Sequence, residues 1–358
     1  MKTMRRLLKN PATKALTLFA FAITCTFFAL HLLAGQPAAD AQPAAAMSPF
    51  IDVHVHLERS SAASAIQAAL QAMRTENAAK LLFLPSPFTL SNATRFDAEF
   101  LRTAEKGHRD KLAFLGGGGT LNPMIQEAMR TGNAGPEVQR KFKQLAEEII
   151  RLGAVGFGEM TVQHLPTSTP FQYVPPDHPL FLLLADIAAE HNVPIDLHME
   201  AVVKPMAILP AWHIIPLPNP PLLHPDIAAF ERLLDHNPRA KIVWAHAGWD
   251  NTGDRTPELT RRLLQAHPNL YMELKNDPLD VGKNPFLTGG ATGTIKPAWL
   301  KIFQDFPDRF VVGSDQIYPQ PKKGPQRWAA VVGVLNQLSP DLRRKIGLEN
   351  AMRIYGLK

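Results

Sequence analysis

Phe50-Ile51-Asp52-Val53-His54-Val55-His56-Leu57 alternates apolar and polar side chains, the period-2 pattern of a strand with two unlike faces. On that pattern His54 and His56 share a face, roughly 6.6 Å apart along it, and Asp52 shares it one step deeper. Two imidazoles at this spacing can converge on one metal ion. A histidine pair on a strand is also a common hydrogen-bonded core feature, so its meaning depends on the rest of the chain.

Downstream, seven more strand-like stretches follow at residues 80–85, 112–116, 154–160, 194–199, 241–247, 270–274 and 310–314. Helix-period segments lie between them, at 62–77, 93–106, 136–152, 180–190, 225–235, 256–266 and 297–305. Two more, 326–337 and 341–355, follow the last strand, with Ser339 as N-cap and Pro340 as first helical residue. Eight strands alternating with helices predict parallel βα units closed into a single (β/α)8 barrel over 50–358, with an extra C-terminal helix. A doubly wound sheet would want a glycine-rich phosphate loop of defined spacing. Gly116-Gly117-Gly118-Gly119 lacks that spacing and is read instead as backbone that makes room at the barrel mouth.

Upstream, Lys2, Arg5, Arg6, Lys9 and Lys14 precede an uncharged apolar run over 15–33, and Ala39-Asp40-Ala41 resembles a small-x-small cleavage site. This layout predicts an export signal over 1–41, or an N-terminal membrane anchor if it is not removed, then a linker over 42–49. The expected location is periplasmic or secreted. Without residues 1–41 the chain keeps 33 basic against 31 acidic residues, so its high pI belongs largely to the signal. A nearly neutral mature domain gives no reason to expect a nucleic-acid partner; the expected partner is a small-molecule substrate, with a homo-oligomer an open possibility. The one cysteine, Cys25, lies inside the apolar run, so the barrel has no thiolate for metal or nucleophilic chemistry.

The polar residues of the strands gather at their C-terminal ends, where barrel enzymes build their sites. They are His54 and His56 on strand 1, Glu159 on strand 4, His198 on strand 5, His246 on strand 6 and Asp315 on strand 8. Proline-rich segments at 166–179, 205–225 and 319–325 follow strand ends and would shape or cover a pocket. Imidazole and carboxylate without thiolate suit zinc first, with manganese, iron or nickel also possible, as one or two divalent ions.

This pattern resembles the amidohydrolase superfamily of metal-dependent TIM-barrel enzymes. Trp244-Ala-His-Ala-Gly248, Gly313-Ser-Asp315 and Glu349-Asn-Ala-Met-Arg-Ile-Tyr355 are similar to its amidohydrolase-2 branch. The resemblance implies that His54, His56 and Asp315 hold the more buried ion, and that His198 and His246 hold a second ion in binuclear members. It also implies a bridging residue on strand 4. Many members use a carboxylated lysine there; this chain has none and offers Glu159, as the TatD-type nucleases do.

The implied activity is hydrolysis of a small-molecule amide, lactone or ester by a metal-activated water, with Asp315 as general base. His246 serves as ligand with two ions and as acid/base with one. The alternative is a mononuclear decarboxylase or hydratase of a small carboxylic acid. A TatD-like nuclease is opposed by the near-neutral charge, and a non-catalytic exported binding protein by the intact set of six rim residues. Trp249 and Lys275 are substrate candidates, Lys275 as the neutraliser of a substrate carboxylate; Trp212, His213, His164 and Lys204 are weaker ones. Asp52 and Asp196 are candidate orienters of the histidines.

Overall fold

Val, Ile, Leu and Phe dominate the eight expected strands, as residues buried on both faces of a parallel sheet must. In a computed structural model they form β1 (Phe50–Leu57), β2 (Ala78–Phe83), β3 (Leu112–Phe114, continuing as Gly116–Gly117), β4 (Phe157–His164), β5 (Pro194–Met199), β6 (Lys241–Ala247), β7 (Leu270–Leu274) and β8 (Phe310–Val312). The structure describes residues 48–58, 62–89, 97–165, 170–208, 220–276, 287–289, 293–319 and 327–358. The expected export signal, Trp212, His213 and much of the proline-rich segments lie outside them. Among the described residues no helix is long and apolar enough to cross a membrane.

All neighbouring barrel strands pair in parallel, in the order β3-β2-β1-β8-β7-β6-β5-β4. The first part of β3 pairs with β2, and its continuation pairs with β4. On either side of the change of partner, Leu115 N donates to Phe83 O (2.8 Å) and Gly116 N to Gly156 O (3.2 Å). One stretch thus neighbours both β2 and β4, the arrangement of a (β/α)8 barrel. Gly118 fits the reading of its run as room-making backbone: a Cβ there would lie 2.6 Å from Pro85 O and 3.0 Å from Glu159 O.

Helices α1 (Ala62–Glu76), α2 (Ala98–Glu105), α3 (Leu121–Thr131), α4 (Pro136–Arg151), α5 (Pro179–His191), α6 (Ile227–His236), α7 (Pro257–Ala266), α8 (Pro297–Asp305) and α9 (Arg327–Leu335) accompany the strands. The sequence pattern misses α3; its Pro123 sits in the first turn, where a missing N–H costs nothing. Ser339 caps the next helix through its side chain, which accepts from Leu342 N, with Pro340 first. The terminal segment is not one regular helix. It widens over Lys345–Glu349, where Asn350 N donates to Lys345 O, before Asn350–Tyr355.

The core has two layers. Outward-facing strand residues pack against the helices with Trp244, Trp299 and Trp328, all fully buried; each such side chain contributes about 1.5–3 kcal/mol. The inner layer joins Ile51, Val53, Leu82, Leu84, Ala113, Leu115, Val243 and Val311 to Ala351, Ile354 and Tyr355 of the last helix, which plugs the barrel floor.

The alternation of β1 breaks exactly where the histidines begin, and one expectation falls with it. Phe50 and Asp52 face outward onto Trp328 (Phe50 ring centroid at 5.6 Å), while Ile51 and Val53 face inward. Pairing with β2 then shifts register between Asp52 and Val55, so His54 follows Val53 on the same inner side. Asp52 therefore does not share the histidines' face. Its buried carboxylate accepts from Trp328 Nε1, Ser314 N (3.0 Å), Ser314 Oγ (2.5 Å) and His54 N (3.1 Å), and so ties β1 to the end of β8 and to α9.

Candidate metal centre

Three strands lose their alternation as they reach the rim, and each break adds a polar group to the interior. Beside that of β1, register shifts lie between Phe157 and Met160 on β4 and between Trp244 and Ala247 on β6. Glu159 sits inside β4, not at its end as expected, because the strand continues to His164. His246 and Asp315 have left-handed backbones (φ 63° and 56°); the other two non-glycine residues with positive φ among the described residues are asparagines, which tolerate it better. Such strain persists where the surroundings enforce it, and it concentrates at functional sites. Buried Arg255 supports the β5 and β6 ends here: it donates to Ala245 O (2.8 Å) and Met199 O (2.5 Å) beneath the Trp244 ring.

The structure brings all six expected residues into one cluster. His54 Nε2 lies 3.2 Å from His56 Nε2, which lies 3.2 Å from Asp315 Oδ1. Glu159 Oε2 is 3.6 Å from the first of these nitrogens and 3.5 Å from the second. Ligands about 2.0–2.1 Å from a tetrahedral ion are about 3.3 Å apart, so this donor set fits one divalent ion. The other oxygen of Glu159, Oε1, is 2.7 Å from His198 Nδ1 and 3.5 Å from His246 Nε2. That is a second group able to hold an ion, and Glu159 faces both groups with a different oxygen.

Two acids that the sequence reading passed over complete the surroundings. Glu273 on β7, fully buried, lies 2.9 Å from His54 Nδ1 and 3.2 Å from His246 Nδ1. Glu200, just beyond β5, lies 3.6 Å from His198 Nε2 and accepts from Asn251 Nδ2 at 2.8 Å. Both were visible as charges in otherwise apolar strand contexts, Leu270-Tyr-Met-Glu-Leu274 and His198-Met-Glu200. Asp196 does reach the histidines as expected, at 3.4 Å from His54 Nδ1, but farther away than Glu273.

Lys275 lies inside the cluster. It is buried, donates to Asp315 Oδ2 at 2.7 Å, and lies 3.1 Å above the Trp249 ring. A second cation, Arg327, lies 2.8 Å from the same oxygen. Trp249 stands beside His246 (ring centroids 5.7 Å apart), and His164 stacks near His198 (4.5 Å), while Lys204 is on the exposed surface. Of the histidines at helix ends, His191, His236 and His267 each meet a carboxylate.

Burial works against charge throughout this cluster, and the close pairs overturn it. Burial would lower the His54 pKa, but Glu273, Asp196 and Glu159 hold it well above its ordinary value. His198, also opposed by burial, is pushed up to about 9 by Glu159 and Glu200. Glu159 and Asp315 stay well below the usual carboxylate range despite burial, the first through His54 and His198, the second through Lys275 and Arg327. Asp196 goes the other way: burial, helped by Glu273 and opposed by His54, raises it well above that range. Burial and Lys275 lower His246.

A pH dependence follows. Imidazole must lose its proton to ligate, and at neutral pH the metal-free protein keeps protons on His54 and His198, whose pKa values are raised. Ligation by these histidines would expel those protons, so affinity is expected to rise with pH up to about 9, where His198 would lose its proton. Calorimetric zinc titrations in two buffers of different ionisation enthalpy should read a release of about one to two protons per chain at pH 7. Release of none would show that these histidines are not ligands.

The profile of the Amidohydrolase family matches residues 51–357. No curated protein matches the chain. Solved structures similar to it include an amidohydrolase 2 from Bifidobacterium longum subsp. infantis, 13% identical, covering 87% of this chain and 99% of that one with a TM-score of 0.41. A 5-carboxyvanillate decarboxylase from Novosphingobium aromaticivorans, described with bound manganese, is 14% identical, covering 86% and 97% with a TM-score of 0.44. An amidohydrolase from Mycobacterium avium subsp. paratuberculosis is 12% identical, covering 83% and 75% with a TM-score of 0.43. With the profile spanning nearly the whole barrel and every rim residue inside it, the chain belongs to the amidohydrolase family.

Proposed function

We propose that this protein is a metal-dependent hydrolase that cleaves an amide, lactone or ester bond in a small molecule, with divalent ions, zinc first among them, held at the barrel rim. The observation that carries the reading is the division of Glu159: Oε2 faces the group of His54, His56 and Asp315, and Oε1 faces His198 and His246. A carboxylate so placed suits two ions better than one. When bound, such ions lower the pKa of a water from 15.7 towards about 7 and polarise the substrate oxygen.

The chain's own groups supply the rest. Asp315 faces His56 with Oδ1 and is held through Oδ2 by Lys275 and Arg327, and its carboxylate would take the proton of the attacking water. The low proton affinity imposed by the two cations keeps Asp315 ionised beforehand and makes it a ready donor to the leaving group afterwards. His246, neutral because burial and Lys275 lower its pKa, is free to ligate through Nε2. Trp249 walls the site beside it. The basic, then apolar, N-terminal segment supports an exported location for this chemistry.

The test is product analysis on amides, lactones and esters in ¹⁸O-water, with and without a chelator. Incorporation of one ¹⁸O into the product, abolished by chelation and restored by zinc, is the expected result. Activity indifferent to chelation would sink the reading, and CO₂ release from small carboxylic acids would replace it with the mononuclear decarboxylase.

A further inference from the structure

Glu273 has a geometry that neither ligation nor packing accounts for. It is buried on β7 between two histidines that come from β1 and β6, and it gives each a different oxygen. His54 Nδ1 hydrogen-bonds to it at 2.9 Å, and His246 Nδ1, a buried nitrogen with no other partner, has it 3.2 Å away. Both turn the opposite ring edge, Nε2, towards Glu159, at 3.6 Å for His54 and 3.5 Å for His246. The backbone N of His246 also lies 3.4 Å from Glu273 Oε1, so the same carboxylate braces the left-handed turn that aims this ring.

The barrel makes room for this arrangement. Gly313, beyond the last residue of neighbouring β8, faces Glu273 so closely that a Cβ there would overlap its Cγ, Cδ and Oε1. Any other residue at 313 would push the carboxylate off the two rings.

Glu273, His54 and His246 could themselves be taken for an ion's donors. That reading would spend Nδ1 of both rings. Yet Nε2 is the atom by which His54 joins His56 and by which His246 joins Glu159. An imidazole that ligates through one nitrogen carries its proton on the other, and that N–H wants an acceptor.

We propose that Glu273 is a positioning residue that fixes the tautomer of two ligand histidines at once, accepting Nδ1–H from both His54 and His246 so that both present an unprotonated Nε2 to the metal centre. This rests on the metal-site reading above. A single carboxylate thereby couples the two donor groups: if it moves, both lose a ligand.

Glutamine separates this role from a purely structural one. It keeps the size of glutamate but offers one acceptor oxygen and one donor NH₂, so it satisfies only one Nδ1–H. The other histidine must accept at Nδ1 and carry its proton on Nε2, where it no longer ligates. Zinc affinity, measured by chelator competition on metal-free full-length protein, should fall about 10- to 100-fold in Glu273→Gln. Long-range ¹H–¹⁵N spectra of the zinc-loaded protein should show Nδ1–H on both rings in the wild type. In the variant one of the two should change tautomer.

Wild-type protein that binds no zinc overturns the metal-site reading, and this inference with it. Zinc bound by both proteins with affinities within about twofold overturns this inference alone. If Glu273→Gln does not fold, the wild-type spectrum still decides: an Nε2–H on either His54 or His246 refutes the proposal. Gly313→Ala supplies an independent lever, and it should weaken zinc binding without altering any ligand.

Discussion

Glu159→Gln is expected to lower bound zinc from about two ions per chain towards one or fewer, and to reduce turnover of a hydrolysed substrate by about 1000-fold or more. The substitution keeps the shape of the side chain and removes the charge whose two oxygens face the Nε2 side of one donor group and the His198 side of the other. His198 then loses its nearest compensating anion, and any pair of ions would lose the ligand between them. A 1000-fold loss corresponds to about 4 kcal/mol of transition-state stabilisation, in keeping with the loss of a metal's Lewis acidity. Elemental analysis and initial rates on matched preparations read both quantities. Two ions retained in the variant would remove Glu159 from the bridging position; one ion in wild type and variant alike would favour mononuclear chemistry.

Lys275→Met should cost about 3 kcal/mol of stability in the metal-free protein. Removing one partner of a buried ion pair leaves the other charge uncompensated, at about 3–5 kcal/mol; Asp315 keeps Arg327, so the lower end applies. Urea unfolding at pH 7 measures it through the midpoint at unchanged slope. A change below about 1 kcal/mol would mean that the pair barely outweighs its own desolvation. The acid limb carries a second signature. The wild-type Asp315 pKa is depressed, so its contribution is present above the unfolded value of about 3.9 and is lost as pH falls through the lower folded value. Without Lys275 that pKa rises, and the loss of stability in acid becomes shallower.

How much of this was legible in the sequence depended on what period-2 alternation encodes. It located the eight strands because apolar runs between helical segments leave few other solutions, and it placed His198 correctly because β5 alternates without a break. It failed at Asp52, since a one-residue register shift between Asp52 and Val55 reverses the faces and leaves no mark in composition. It left Glu273 unassigned because period-2 alternation does not say which face of β7 points inward, where a charge has to be paired. Lys275 was legible as a cation beyond a strand, and the fold adds the carboxylate that it holds.

The Asp52 tie has a consequence for how the chain comes to be folded. Its partners Ser314 and Trp328 lie 262 and 276 residues away along the chain, so the seam between first and last strands joins segments made at opposite ends of synthesis. Contacts of such separation form only after a large loop-closure cost has been met, and they slow folding. Until the seam closes, β1 pairs with β2 on one edge only and keeps the other open, beside a floor that still lacks its last helix.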